Sequence, residues 1–136
     1  MDDVPLALVT GASDGLGSAF ASRLAAVGHQ VVAVARNEAR LQKLVADLGE
    51  GGHSYLAADL CDSSGVAEVA SMLSSRHFGL LVNKAGLGRY GDFMDVDQSH
   101  AQQMIRLNCE ELVTLSHAFL ESSRNGDAMV NLSGLL

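Results

Sequence analysis

The stretch Leu6-Ala7-Leu8-Val9-Thr10-Gly11-Ala12-Ser13-Asp14-Gly15-Leu16-Gly17 runs from a short apolar segment into three glycines and then into residues of helical period. Residues 6–10 read as a strand, and Leu16, Phe20, Leu24 and Val27 recur at helical spacing up to Gly28, a residue suited to a helix end. Glycines at such a strand-to-helix turn let the backbone bend sharply and let a ligand approach without meeting a Cβ. The free N–H groups and the dipole of the helix start favour a pyrophosphate. The spacing here is G-x-x-x-G-x-G, and the bland alternative is a tight structural turn. A P-loop needs a Lys beside the last glycine, whereas Gly17 is followed by Ser18 and Ala19. Gly11-Ala12-Ser13-Asp14-Gly15 also fits the G-x-S-x-G nucleophile elbow, which makes Ser13 a rival candidate nucleophile of a serine hydrolase fragment. Against that reading, the elbow normally follows several strands and here follows the first, and later loops offer no obvious Asp and His partners.

Outward from this turn, the pattern alternates between short apolar runs and longer segments of helical period, the signature of a parallel α/β sheet. Residues 30–35 form a second continuous apolar strand, followed by a helix carrying Leu41, Leu44, Val45 and Leu48 and stopped by Gly49. A third strand covers 53–57, and Asp62-Ser63-Ser64 caps a helix with Val66, Val69 and Leu73. The fourth strand covers 78–83, a glycine-rich loop runs from Gly86 to Gly91, a long helix covers 98–122, and a fifth strand covers 128–132. The expected architecture is one α/β domain over residues 1–136, a three-layer, doubly wound parallel sheet of Rossmann type.

A chain of 136 residues can bury a substantial core without disulfides or metal. Nine Lys and Arg against sixteen Asp and Glu give a net charge of −7, the wrong sign for gripping nucleic acid or an anionic membrane surface. Hydrophobic residues make up 48% and charged residues 18%, which speaks against disorder. No apolar run is long enough to span a bilayer, the N-terminus is acidic where a secretory signal is basic, and Cys61 and Cys109 stand far apart. A cytoplasmic location is expected.

Two positions then bear on the ligand. In dinucleotide-binding folds an Asp or Glu at the end of the second strand takes the ribose 2′-OH, whereas an Arg there accommodates a 2′-phosphate. Here that turn is Ala35-Arg36-Asn37, so NADP(H) is expected over NAD(H), with Glu38 the one nearby acidic side chain. Asn108 falls on the stripe Met104, Asn108, Leu112, Leu115, Phe119, which sets an amide towards the expected core. It therefore needs partners, either nearby backbone or a functional group.

Four local features at matching spacing, Thr10-Gly11-x-x-x-Gly15-x-Gly17, Asp59-Leu60, Asn83-Lys84-Ala85-Gly86 and Asn108, make the chain resemble the short-chain dehydrogenases/reductases over essentially its whole length. The resemblance implies strand order 3-2-1-4-5 and carbonyl reduction or alcohol oxidation with a nicotinamide cofactor. It implies that Gly11, Ser13, Asp14, Gly15, Leu16 and Gly17 form the pyrophosphate loop, that Asp59 and Leu60 meet the adenine, and that Asn83, Ala85 and Gly86 line the cofactor and steady the central strand. Asn108 becomes the residue that bends its helix and holds a water in a proton relay. Lys84 stands where the family's motif has a second Asn. The family's Tyr-x-x-x-Lys dyad has no counterpart, because Tyr55 and Tyr90 are followed four residues later by Asp59 and Met94. Aligning on Asn131 puts Ser133 at the first serine of the Asn-x-Ser-Ser motif and Gly134 at the catalytic second one, so Ser133 replaces that residue by a one-residue slip or nothing does.

The chain thus reads as the cofactor-binding part of an oxidoreductase, inactive alone, with a non-catalytic nucleotide-binding or interaction module as the alternative. The fifth strand is expected at an open sheet edge beside an apolar helix, a surface prone to self-association or homo-oligomer formation. His29, His53, His77, His100 and His117 are scattered without metal-ligand spacing, and surface or capping roles are expected for them. Cys61 and Cys109 are expected to be small buried residues, and Asp95/Asp97 and Glu110/Glu111 solvated charges. The loop of Arg89 and Tyr90 is read either as a border of the substrate site or as plain solvent-facing chain.

Overall fold

The computed structural model describes residues 3–88 and 90–133. Five strands, β1 (Leu6–Thr10), β2 (Gln30–Ala35), β3 (Ser54–Ala57), β4 (Leu80–Asn83) and β5 (Ala128–Asn131), form one parallel sheet in the order β3-β2-β1-β4-β5. Helices α1 (Gly15–Ala26), α2 (Glu38–Leu48) and α3 (Ser63–Ser75) follow the first three strands. After β4 come a 3₁₀ turn (Phe93–Asp95) and a helical rod made of α4 (Gln98–Ile105), a π turn (Arg106–Glu110) and α5 (Glu111–Glu121).

The three layers follow from the two-residue period of the strands. Leu8, Val32, Val34 and Leu81 point to one face, where Val69 and Leu73 of α3 and Leu115 and Phe119 of α5 cover them. Val9, Val31, Ala33 and Val82 point to the other, against Ala21 of α1 and Leu41 and Leu44 of α2. Because β1 and β2 are covered on both faces, they read as unbroken apolar runs. Asn37 caps α2 by accepting from the Arg40 N–H (3.0 Å), and Asp62 caps α3 by accepting from the Ser64 N–H (3.3 Å). The turn into β5 is held by Asp127, whose Oδ2 accepts from the Arg124 N–H at 2.6 Å and lies 2.7 Å from His77 Nε2. Burial pushes the Asp127 carboxyl up, but these partners outweigh it and hold it below its ordinary value.

The long helix departs from its expected form. A π turn takes in one residue more than regular helix, so side chains before and after it no longer share one stripe. The buried stripe runs through Leu107, Glu111, Leu115, Ala118 and Phe119, with Leu107 only partly covered. Asn108 is exposed rather than turned to the core. Glu111, expected to be solvated with Glu110, is instead 2% exposed, and its Oε1 has no hydrogen-bond partner. It borders a cleft of about 480 Å³ with Cys61, Asp62, Arg106, Glu110 and Thr114. Burial pushes its carboxyl up to about 7. Other expectations are corrected as well. Leu16 and Val27 are exposed because α1 buries only Gly17 and Ala21, with Phe20 and Leu24 partly covered. Cys109 is exposed on the π turn and Cys61 is half-buried.

Two consequences can be measured. A Cβ at Gly65 would run into the Asp59 carbonyl, so Gly65→Ala should lower stability by about 1–3 kcal/mol in urea unfolding, as overpacking does. Gly79→Ala, where the added carbon meets only ordinary contacts, should cost less. Glu111 holds its proton in the fold up to about pH 7 but releases it near 4.5 when unfolded, so its contribution falls as pH rises between those values. Glu111→Gln should remove that slope and stabilise the protein by about 3 kcal/mol at pH 8, read from paired unfolding curves at pH 5 and pH 8.

Candidate dinucleotide-binding site

The site forms where the strands of a parallel sheet end and their helices begin. At the end of β1 the wholly buried Thr10 turns its hydroxyl towards β4, where Oγ1 accepts from the N–H groups of Lys84 (3.0 Å) and Ala85 (3.1 Å). It also donates at 3.5 Å to the Val82 carbonyl. This clasp sets the glycine turn against the chain leaving β4. Ala12 N–H reaches the Val34 carbonyl at 3.2 Å and ties the same turn to β2. Gly11 has φ +62° and lies so close to Ala85 that a Cβ would come within 3.0 Å of its backbone nitrogen. Gly17 packs on the Gly11 carbonyl with no room for a side chain.

These constraints leave a cleft of about 580 Å³. Gly11, Ser13 and Asp14 form its floor, Arg36, Asn37 and Arg40 one end, Asp59 and Leu60 a side, and Lys84, Ala85 and Gly86 the opposite side. Asp59 Oδ1 accepts from the Cys61 N–H at 2.9 Å, which fixes the turn after β3. Burial, then the Asp59 carboxylate, pushes the Cys61 thiol up, so it is a poor nucleophile at neutral pH. Glu38 is turned away, with Oε1 accepting from the Tyr55 hydroxyl at 3.2 Å, and it is absent from the cleft wall. Arg36 and Arg40 line the cleft at the end of β2, with Asp14 3.6 Å from the Arg40 guanidinium and Asp59 on the same wall.

Eight of the expected residues thus meet in one cleft: Gly11, Ser13, Asp14, Arg36, Asp59, Leu60, Ala85 and Gly86. Gly15 and Leu16 lie outside its wall at the exposed start of α1, and Gly17 acts beneath the floor by its lack of a side chain. Asn83 is 4% exposed and points behind the cleft, its Nδ2 donating to Asn131 Oδ1 at 2.9 Å and to Ser116 Oγ at 3.4 Å. It joins β4, β5 and α5. Asn108 grips the Leu87 backbone twice, accepting from its N–H at 2.9 Å and donating to its carbonyl at 2.7 Å. The amide that sequence spacing set towards the core therefore anchors the chain after Gly86. Ser133 is exposed just past β5, while Gly134 and Arg89 lie outside the described residues.

Arg40 was not singled out in the sequence, and Lys84 stood there only as a departure from the family's motif. The signal for Arg40 was available, since it stands four residues after Arg36 on a helix facing the same cleft. Ser13 Oγ has no histidine hydrogen-bonded to it among the described residues, so the nucleophile elbow lacks its base. Among the described residues no three His, Cys, Asp or Glu side chains form a group able to hold a metal ion, and no helix is long and apolar enough to cross a membrane.

The family model described as short chain dehydrogenase matches residues 5–135. D-threitol dehydrogenase of Mycolicibacterium smegmatis is 32% identical over 137 aligned residues, covering 97% of this chain and 50% of that protein. A short-chain dehydrogenase from Sphingobium yanoikuyae, solved in complex with NADPH, superposes with a TM-score of 0.84 at 36% identity, over 93% of this chain and 52% of that one. A metagenomic short-chain oxidoreductase solved with NADP gives a TM-score of 0.88 at 29% identity, over 98% of this chain and 64% of that one. The chain spans about half the length of the curated relatives it matches. With its sheet order, its glycine turn and its matched length in agreement, the chain belongs to the short-chain dehydrogenase/reductase family.

Proposed function

We propose that these residues are the cofactor-binding part of an NADP(H)-dependent oxidoreductase that reduces carbonyls or oxidises alcohols. The observation that carries the choice of cofactor is the end of β2, where Arg36 and Arg40 border the cleft and Glu38 is engaged by Tyr55 outside it. A 2′-phosphate there meets guanidinium groups, whereas among the described residues that line the cleft just after β2 none is a carboxylate to accept from a 2′-hydroxyl. The glycine turn fits the rest of the nucleotide, because Gly11 leaves the floor without a side chain and α1 starts beneath it. When bound, the nicotinamide supplies or accepts the hydride. The chain's own part is to hold the dinucleotide in register with the ends of β1 and β4, and Asn108 contributes by fixing the backbone of Leu87.

The proton that accompanies hydride transfer has no manager among these residues. Tyr55 is committed to Glu38 and Gln42 of α2, and the lysines are Lys43 and Lys84 alone. Ser133 remains the candidate to polarise a carbonyl. An isolated tyrosine near pKa 10 is a poor acid or base at neutral pH without a neighbouring cation, so these 136 residues bind cofactor without turning over. The unpaired thiols Cys61 and Cys109 suit a reducing cytoplasm.

The second part of this reading concerns assembly. β5 is the sheet edge beyond β4, and Ile105, Val113 and Leu120 stand exposed along the neighbouring helical rod. An open strand edge beside apolar side chains favours self-association. Sedimentation at tens of micromolar, on the order of the concentrations at which such surfaces associate, should show species larger than a monomer. A single monomeric boundary would count against it.

Calorimetric titration tests the cofactor reading. NADPH should bind in clear preference to NADH, and Arg36→Ala should weaken NADPH by about 10-fold to 100-fold, the worth of a charge-assisted phosphate contact, while leaving NADH nearly unchanged. NADPH oxidation with a panel of carbonyl compounds should stay at the blank rate, and measurable turnover would refute the inactivity of this part. If neither nucleotide binds, the non-catalytic interaction module becomes the better account.

A further inference from the structure

Lys84 occupies an unusual place. Its backbone N–H is held by Thr10, and its aliphatic stem crosses the glycine turn so closely that a Cβ on Gly11 would come within 3.0 Å of Cδ. The stem therefore depends on Gly11 being glycine, and it delivers the ammonium to the cleft with the side chain 28% exposed. There Nζ lies 3.9 Å from Asp14 Oδ1, while the Arg40 guanidinium lies 3.6 Å from Asp14 Oδ2. Two cations, from the end of β4 and from α2, thus converge on one carboxylate in front of the first turn of α1. Asp14 stands at the N-cap position of α1 but makes no side-chain capping bond, so its carboxylate serves the cations rather than the helix.

Both contacts are long, and Asp14 is 65% exposed, which places them among ion pairs of little net strength. Nothing binds the cations firmly to that carboxylate. An anion carrying more charge, set against the N-terminus of α1, would take them over at small cost and gain from the helix dipole as well. We propose that Lys84 is a phosphate-binding residue of this cleft, its ammonium resting on Asp14 in the free protein and passing to the diphosphate bridge of the dinucleotide on binding, with Arg40 released from Asp14 at the same time.

The inference rests on the dinucleotide reading above but makes a separate claim. Arg36 discriminates between cofactors through the 2′ position, whereas Lys84 strengthens every ligand that carries the diphosphate and is blind to the 2′ position. Asp14 acts as an internal competitor for the same cation.

The test compares four probes on the 136-residue chain by calorimetry: NADPH, NADH, ADP-ribose, and adenosine 2′-monophosphate, which has no diphosphate. Lys84→Met keeps the stem and loses the charge. It should weaken NADPH, NADH and ADP-ribose alike, by about 10-fold or more, and leave adenosine 2′-monophosphate within about twofold. Lys84→Arg should restore most of the lost affinity, which separates a role of charge from one of packing. Asp14→Asn should tighten ADP-ribose several-fold in the parent chain and by less in Lys84→Met, where only Arg40 is left to be freed. Unchanged ADP-ribose binding in Lys84→Met would overturn the proposal while leaving the cofactor reading intact. Loss confined to NADPH and adenosine 2′-monophosphate would move Lys84 to the 2′-phosphate and overturn it equally. If the parent chain binds none of the four, the cofactor reading and this role for Lys84 fall together.

Discussion

The hydroxyl of Thr10 is the small group on which the site depends. It is wholly buried, it accepts two backbone N–H groups from the chain leaving β4, and it donates weakly to the carbonyl of Val82. Backbone groups at the end of a central parallel strand have no further ladder partner, and leaving them unpaired in the interior would cost on the order of 1–3 kcal/mol each. One side chain satisfies two of them and in doing so locks two loops together. The glycine turn and the Lys84-Ala85-Gly86 segment become facing walls of a cleft whose width is set by hydrogen bonds rather than by loose loop packing.

Around that clasp the glycines act by subtraction. Gly17 lets α1 start against the Gly11 carbonyl, Gly65 lets α3 start against the Asp59 carbonyl, and Gly11 admits both the Ala85 backbone and the Lys84 stem. In each case helix and loop approach more closely than a side chain would permit, which brings helix N-termini up to the ends of the strands. The charges are then arranged on a chain of net −7 so that Arg36, Arg40 and Lys84 line one cleft. A local concentration of positive charge on an acidic protein is what selective attraction of a phosphorylated ligand requires.

The cleft next to it, which shares Leu60 and Cys61 with the first, shows how a polar group can be placed against the usual preference. Glu111 is buried because it opens α5 at regular helical spacing from Leu115 and Phe119, and burial keeps its carboxyl neutral well above its ordinary range. The preceding π turn places Asn108 on the outside, where both ends of its amide meet Leu87. The helical irregularity thus serves the cleft through Asn108, while the regular helix that follows it carries the buried acid.

Much of this was legible in the residues alone. Alternating apolar runs and helical periods specified five strands and their helices to within a few residues, because a strand buried on both faces and an amphipathic helix leave unmistakable periods. The glycine turn, Arg36 and Asp59-Leu60 declared their site, because backbone approach and charge at a strand end depend on residue type and spacing, which a sequence displays. What only the tertiary structure decided were the matters of phase and of reach. A single π turn is invisible to a count by fours and threes, yet it took Asn108 off the buried stripe, whereas Glu111 keeps regular spacing with Leu115 and Phe119 and was hidden only by its charge. Asn83 turns from the cleft to the seam of β4, β5 and α5, so of the two roles its motif implied its side chain carries the steadying of the central strand. Lys84 and Arg40 reach Asp14 across gaps of 70 and 26 positions, since long flexible side chains meet wherever the folded backbone brings their stems, and no local spacing records it.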